Sequence, residues 1–192
     1  MGSRGKAPGL ACLRHSVPAP VMMRVLGVVG WSGSGKTTLL EALIPLLRGS
    51  GVRVSTIKHA HHRVDPDQVG KDSFRHRVAG AEEVVLANAA RFVIFHENRG
   101  GAEPDLAALL ARMAKVDLVL VEGFKGEALP KIEIFRPAVG KPPIWPGMAD
   151  IIAVASDGMV ADCHLPVLDL NDPASICGFI LRWLEQQPQA GA

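Results

Sequence analysis

Val25-Leu26-Gly27-Val28-Val29-Gly30 runs directly into Trp31-Ser32-Gly33-Ser34-Gly35-Lys36-Thr37-Thr38, a junction that by itself implies the architecture of the chain. Its first half is a short, almost unbroken apolar run, the pattern of a strand covered on both faces in a parallel sheet. Gly30 to Thr37 then matches G-x-x-x-x-G-K-[ST] in full, at the junction between a buried strand and a helix where that motif has to lie. The helix is expected over residues 36–47, with a bend at Pro45 and a stop at Gly49 or Gly51. Glycines at these offsets let the backbone curl so that successive N–H groups point inward at phosphate oxygens, and the helix N-terminus adds a favourable dipole. Lys36 is placed to reach the β- and γ-phosphates of a nucleotide, and Thr37 to put its hydroxyl on Mg²⁺. Gly30, Ser32, Gly33, Ser34, Gly35 and Thr38 complete the candidate phosphate contacts. A dinucleotide fingerprint is excluded, because the third glycine of G-x-G-x-x-G is Thr38 here.

Beyond this junction, residues 52–58 alternate in the β manner, and a helix is expected over 72–79. Strands are expected at 83–87 and 91–96, a helix at 105–114, and a second continuous apolar strand at 117–122. Further strands are read at 131–135, 151–155 and 166–170, and a closing helix at 173–186 with Asn171 or Asp172 as its cap. This order implies an α/β fold, a mainly parallel sheet flanked by helices. The segments at 83–96 and at 131–135 read as a hairpin or as antiparallel additions, at an edge or at a subunit contact. Residues 1–21, rich in Gly and Pro, read as a flexible leader, 22–188 as a single nucleotide-binding domain, and 189–192 as a tail.

Composition narrows the function. The chain has 192 residues, enough for one substantial core, and Lys plus Arg number 21 against 19 Asp plus Glu. A net charge of +2, with no Tyr and few other aromatics, gives neither the footprint nor the stacking platforms expected of a nucleic-acid binder. No apolar run approaches the ~20 residues of a membrane helix. Cys12, Cys163 and Cys177 are odd in number and lack C-x-x-C spacing, which argues against a disulfide framework or a zinc site and suits a reducing cytoplasm.

A nucleotide-bound metal calls for a carboxylate at the end of a second apolar strand, and Glu122 stands there. Asp117, at the other end of that strand, lies about 17 Å away at ~3.3 Å per residue and is too far to share the role. Gly123 would leave room for the γ-phosphate. His59, His61 and His62 follow the second strand, with Asp65, Asp67, Lys71, Arg75 and Arg77 beyond. Spacing leaves three readings of this stretch open: a transition-metal site, a clamp beside the phosphates, or a solvated loop. There is no N-K-x-D to read guanine. Asp157 is the first candidate to accept hydrogen bonds from guanine N1 and N2, a contact that can discriminate by ~10⁴, and Asn171 is the second.

Several segments together resemble the molybdopterin-guanine dinucleotide biosynthesis adaptor family, MobB. They are Gly30 to Thr38, Ile57-Lys58-His59-Ala60-His61-His62, Gly70-Lys71-Asp72-Ser73, Ala79-Gly80-Ala81, Leu120-Val121-Glu122-Gly123-Phe124-Lys125 and Pro130-Lys131-Ile132-Glu133. Ala153-Val154-Ala155-Ser156-Asp157 and Leu168-Asp169-Leu170-Asn171-Asp172 extend the resemblance. It implies a P-loop NTPase fold and a cytoplasmic homodimer that binds GTP and Mg²⁺. Its partner would be the nucleotidyltransferase (guanylyltransferase) that joins GMP to molybdopterin, and its own GTP hydrolysis would be weak. It also implies that Lys58, His59, His61, His62 and Asp65 line the face near the phosphates. Lys71, Arg75 and Arg77, with Lys125 and Lys131, would offer cations to a pterin phosphate or to the partner enzyme. Two alternatives are a GTPase that delivers nickel or zinc through the histidines, and a small-molecule kinase with Arg75 and Arg77 as a lid.

Overall fold

The computed structural model describes residues 23–60 and 65–187. The leader, Cys12, His61, His62 and the tail lie outside the described residues. In chain order the elements are β1 (Arg24–Val29), α1 (Lys36–Gly49), β2 (Val54–Lys58), α2 (Asp72–Val78), β3 (Glu83–Ala87), β4 (Phe92–His96), α3 (Leu106–Arg112), β5 (Leu118–Glu122), β6 (Lys131–Phe135), β7 (Ile151–Ser156), β8 (Val167–Asp169) and α4 (Pro173–Gln186). Single 3₁₀ turns lie at Pro137–Val139 and Trp145–Gly147.

The main sheet runs β2-β5-β1-β6-β7-β8, every neighbouring pair parallel, while β3 and β4 form a separate antiparallel pair. Alternation along the strands sorts the core into two faces. Leu26, Val28, Leu118, Leu120, Ile132, Ile134, Ala153 and Ala155 meet Leu39, Leu40, Leu43 and Leu47 of α1 and Ile176, Cys177 and Ile180 of α4. On the opposite face Val119, Val121 and Ile57 pack with Leu106 of α3. Each fully buried leucine or isoleucine contributes about 1.5–3 kcal/mol through loss of contact with water. α1 continues through Pro45 to Gly49, and Gly51, at φ 84, follows its C-cap Ser50.

The 83–96 hairpin forms as expected. The reading of 131–135 as an antiparallel addition is corrected: β6 is an interior parallel strand between β1 and β7. Its apolar half, Ile132 and Ile134, belongs to the α1/α4 core. Its polar half, Lys131 and Glu133, is fully buried on the other face. Lys131 donates to the carbonyls of Glu127 and Leu129 and meets Asp150 at 3.3 Å. Glu133 accepts from the backbone N–H of Ile144 and of Trp145, each at 2.8 Å. Burial pushes the Glu133 carboxyl above its ordinary value, although both amide donors pull it back. These side chains are buried because the flanking 127–129 turn and the 144–150 loop satisfy them, so the strand looks amphipathic in sequence and is interior in space. The expectation that Lys131 offers its charge to a phosphate is corrected for the same reason.

Candidate nucleotide-binding site

The parallel strands end on one edge of the sheet, and ligands of open α/β folds bind beyond that edge. The β1–α1 connection is shaped by Gly30, Gly33 and Gly35, at φ 154, 79 and 95. A Cβ on Gly30 would stand 2.5 Å from the carbonyl oxygen of Ile134 and 2.6 Å from Ser34 Oγ, so no larger residue fits. Gly35 is the N-cap of α1 and supplies no side-chain cap, which leaves first-turn N–H groups without a side-chain acceptor. Ser34 Oγ is buried with no hydrogen-bond partner among the described residues. Ser32, Thr37 and Thr38 are exposed on this edge. The loop thus brings the N-terminus of α1 together with Lys36 and Thr37, and a helix N-terminus without a side-chain cap favours anions.

Lys36 Nζ donates to the loop's own carbonyls, Gly30 at 3.2 Å and Trp31 at 2.9 Å. Its pKa is lowered, first by burial and then by Lys125 and Lys58, with Glu122 acting in the opposite sense. Thr37 Oγ1 lies 3.1 and 3.3 Å from the two carboxylate oxygens of Glu122, the hydroxyl donating, as the motif requires of a metal-holding pair. Lys58 Nζ joins them, 3.4 Å from Thr37 Oγ1 and 3.5 Å from Glu122 Oε1. All-oxygen donors of this kind suit a hard cation that keeps several waters, so the residues fit Mg²⁺. Asp117 is at the far end of β5 and pairs with Arg53.

His59 serves the loop that follows β5. Its imidazole stacks on Phe124 with centroids 4.6 Å apart, and Nε2 lies 2.8 Å from Glu103 Oε1. At Gly123, with φ 97, a Cβ would fall 2.8 Å from His59 Cβ. Glycine is needed at this position because His59 already fills the volume. Asp65 meets Arg77 at 2.9 Å, and the same guanidinium binds Asp67 and Glu97 and lies 5.3 Å from the Phe95 ring centroid. Arg77 is therefore a tie between the 65–67 loop, α2 and β4 rather than an available cation. Lys71 and Arg75 are exposed, and Arg75 lies 3.8 Å from Asp72. Among the described residues no group of three or more His, Cys, Asp or Glu could hold a metal ion, so the metal-delivery reading finds no ligand set there. No helix among them is long and apolar enough to cross a membrane.

Two residues absent from the sequence expectations belong to this edge. Arg136, directly after β6, reaches Asp157 at 2.8 Å. Trp31 donates its indole N–H to Pro142 O at 2.8 Å and has Lys125 Nζ 4.6 Å from its ring centroid. A rule that places ligand-binding residues just past parallel strands finds Arg136 once β6 is known to be one. The backbone N–H of Asn171 donates to Asp169 Oδ1 at 2.8 Å.

Known proteins resemble this one over most of its length. The family model described as molybdopterin guanine dinucleotide synthesis protein B, MobB, matches residues 25–157. The molybdopterin-guanine dinucleotide biosynthesis adapter protein of Escherichia coli K12 is 41% identical over 169 residues, covering 86% of this chain and 96% of its own. The Haemophilus influenzae protein of the same name is 42% identical over 160 residues, covering 83% and 89%. A crystal structure of molybdopterin-guanine biosynthesis protein B, 27% identical, superposes with a TM-score of 0.67 over 83% of this chain and 99% of that one. With a matching family model, close relatives over nearly their full length and a shared architecture, the chain belongs to the MobB family.

Proposed function

We propose that this chain binds GTP with Mg²⁺ at the β1–α1 loop and acts, in the cytoplasm, as an adaptor for the nucleotidyltransferase that joins GMP to molybdopterin. The observation that carries the reading is the uncapped N-terminus of α1 facing the Thr37–Glu122 pair, in a chain whose relatives are named as adapters of guanine dinucleotide synthesis. The loop amides and Lys36 would hold the phosphates, while Thr37 and Glu122 would hold the cation, which would supply charge neutralisation for the polyphosphate. Asp157 reads guanine. Hydrolysis is slow: Arg77 is held by Asp65, Asp67 and Glu97, and Arg136 beside the phosphate loop is held by Asp157, so both are engaged away from a transferred phosphoryl group. The free thiols Cys163 and Cys177 suit a reducing compartment.

The proposed assembly is a homodimer. Val85, Leu86, Phe92, Val93 and Ile94 are exposed on the β3–β4 ribbon, which the main sheet does not extend. An apolar surface of this kind marks an interaction site, and a second copy of the same ribbon offers a matching one. Titration calorimetry with Mg²⁺ and GTP or ATP tests the nucleotide, and dinucleotide output of the transferase with and without this chain tests the partner. Preference for ATP removes the first claim; unchanged output together with no complex removes the second.

A further inference from the structure

Arg136 links three loops at the nucleotide edge. Besides Asp157, its Nε lies 3.5 Å from Ser34 O, and its Nη2 would stand 3.4 Å from a Cβ on Gly35. Beside it, a Cβ on Gly158 would come within 3.0 Å of Pro137 Cγ, so the exits of β6 and β7 are packed against each other. The exits of β1, β6 and β7, consecutive in the sheet, are therefore joined around one guanidinium.

A cation beside the N-terminus of α1 opposes the helix dipole, and Asp157 offsets that charge. Both side chains remain partly open to solvent, 36% for Arg136 and 22% for Asp157. The guanidinium engages Asp157 through Oδ2, and no bond to Oδ1 is recorded among the described residues. A carboxylate has about four lone-pair sites, so one held by Arg136 still has acceptor capacity for two further donors.

We infer that Arg136 is the positioning residue of base recognition: itself anchored on the Ser34 carbonyl, it fixes Asp157 by one oxygen, so that the remaining carboxylate face is set for the N1–H and N2–H donors of guanine. The inference rests on the proposed GTP binding and deepens it. Without Arg136 the Asp157 side chain, on a surface turn before Gly158, samples several rotamers and has to be ordered by the base itself. A planar fork with several donors can bridge Ser34 O and Asp157 together, whereas a lysine can satisfy only part of that geometry.

The test is calorimetric titration of the full chain with Mg²⁺ and GTP, ITP, XTP or ATP, in wild type, Arg136→Ala, Arg136→Lys, Asp157→Ala and the Arg136→Ala/Asp157→Ala double variant. Arg136→Ala is expected to weaken GTP by ~10-fold, the worth of one charge-assisted contact, while ATP stays within about threefold because the phosphate grip is intact. Arg136→Lys recovers part of the loss, and the double variant is no worse than Asp157→Ala alone, the signature of coupled residues. Equal losses for GTP and ATP would make Arg136 a brace for the phosphate loop and overturn the inference. So would a gain in GTP affinity, which would make the pair a latch, or additive effects in the double variant. A wild-type chain with no preference for guanine overturns the GTP reading itself.

Discussion

α1 and α4 are both 14 residues long and share one hydrophobic core on the same face of the sheet, yet they begin in opposite ways. α4 starts with Pro173 at its first position, and Asp172 accepts from the N–H groups of Ala174 and Ser175 at 3.1 Å. α1 starts from Gly35 in the left-handed region with no side-chain acceptor. Burial of leucines and isoleucines anchors both, so the difference is confined to their first turns. One helix completes its hydrogen bonding from within the chain; the other leaves its positive end for an anion supplied from outside. A protein can leave a helix end unsatisfied in this way when the rest of the helix is as well packed as Leu39, Leu43 and Leu47 are here.

Four experiments press on that contrast. The largest effect is expected from Gly30→Ala, where the new methyl meets the Ile134 carbonyl. A loss of about 2–4 kcal/mol in denaturant unfolding, with GTP binding abolished, would show that the open end of α1 depends on this close approach. Lys36→Ala should follow, with GTP affinity reduced about 10- to 100-fold in calorimetry. The melting temperature without nucleotide should not fall, because burial and the neighbouring Lys125 and Lys58 already disfavour the charge on Lys36. Asp172→Ala does the reverse: about 1 kcal/mol of stability lost, a melting shift of roughly 2–4 °C, and GTP binding unchanged. If removing the α4 cap weakened GTP binding as well, the two helix ends would not be independent.

The smallest effect lies in pH. Glu133, like Asp172, accepts from backbone amides, but in the interior, where burial raises its pKa. A carboxyl held above its ordinary value makes the fold lose stability as pH rises from 4.5 toward the raised value, after which the loss levels off. Thermal melts across that window should slope downward in wild type and flatten in Glu133→Gln. Asp117, held low chiefly by its hydrogen bond to Arg53, acts in the opposite direction and only as pH falls below 3.8, so the two contributions separate.

Much of this was legible in the sequence, for identifiable reasons. β1 and β5 are continuous apolar runs, so both faces had to be covered, and glycines beside Lys36 at fixed offsets have little other use. Thr37 and Glu122 follow from those two strands being neighbours in the sheet. β6 was not legible, because burial of Lys131 and Glu133 depends on acceptors and donors from residues 127–150 that local pattern does not reveal. Arg136 was hidden for the same reason, since its importance follows only from the direction of β6. The roles of His59 and Arg77 depended on Glu103 and Glu97, partners 44 and 20 residues away, and only the folded arrangement brings them together.

The indole of Trp31 sits inside the phosphate loop, tethered to Pro142, with the ammonium of Lys125 near its ring. Any polyphosphate that draws Lys125 away alters the electric field across that chromophore, so emission from Trp31, isolated by replacing Trp145 and Trp183 with Phe, provides a label-free optical gauge of occupancy at the loop.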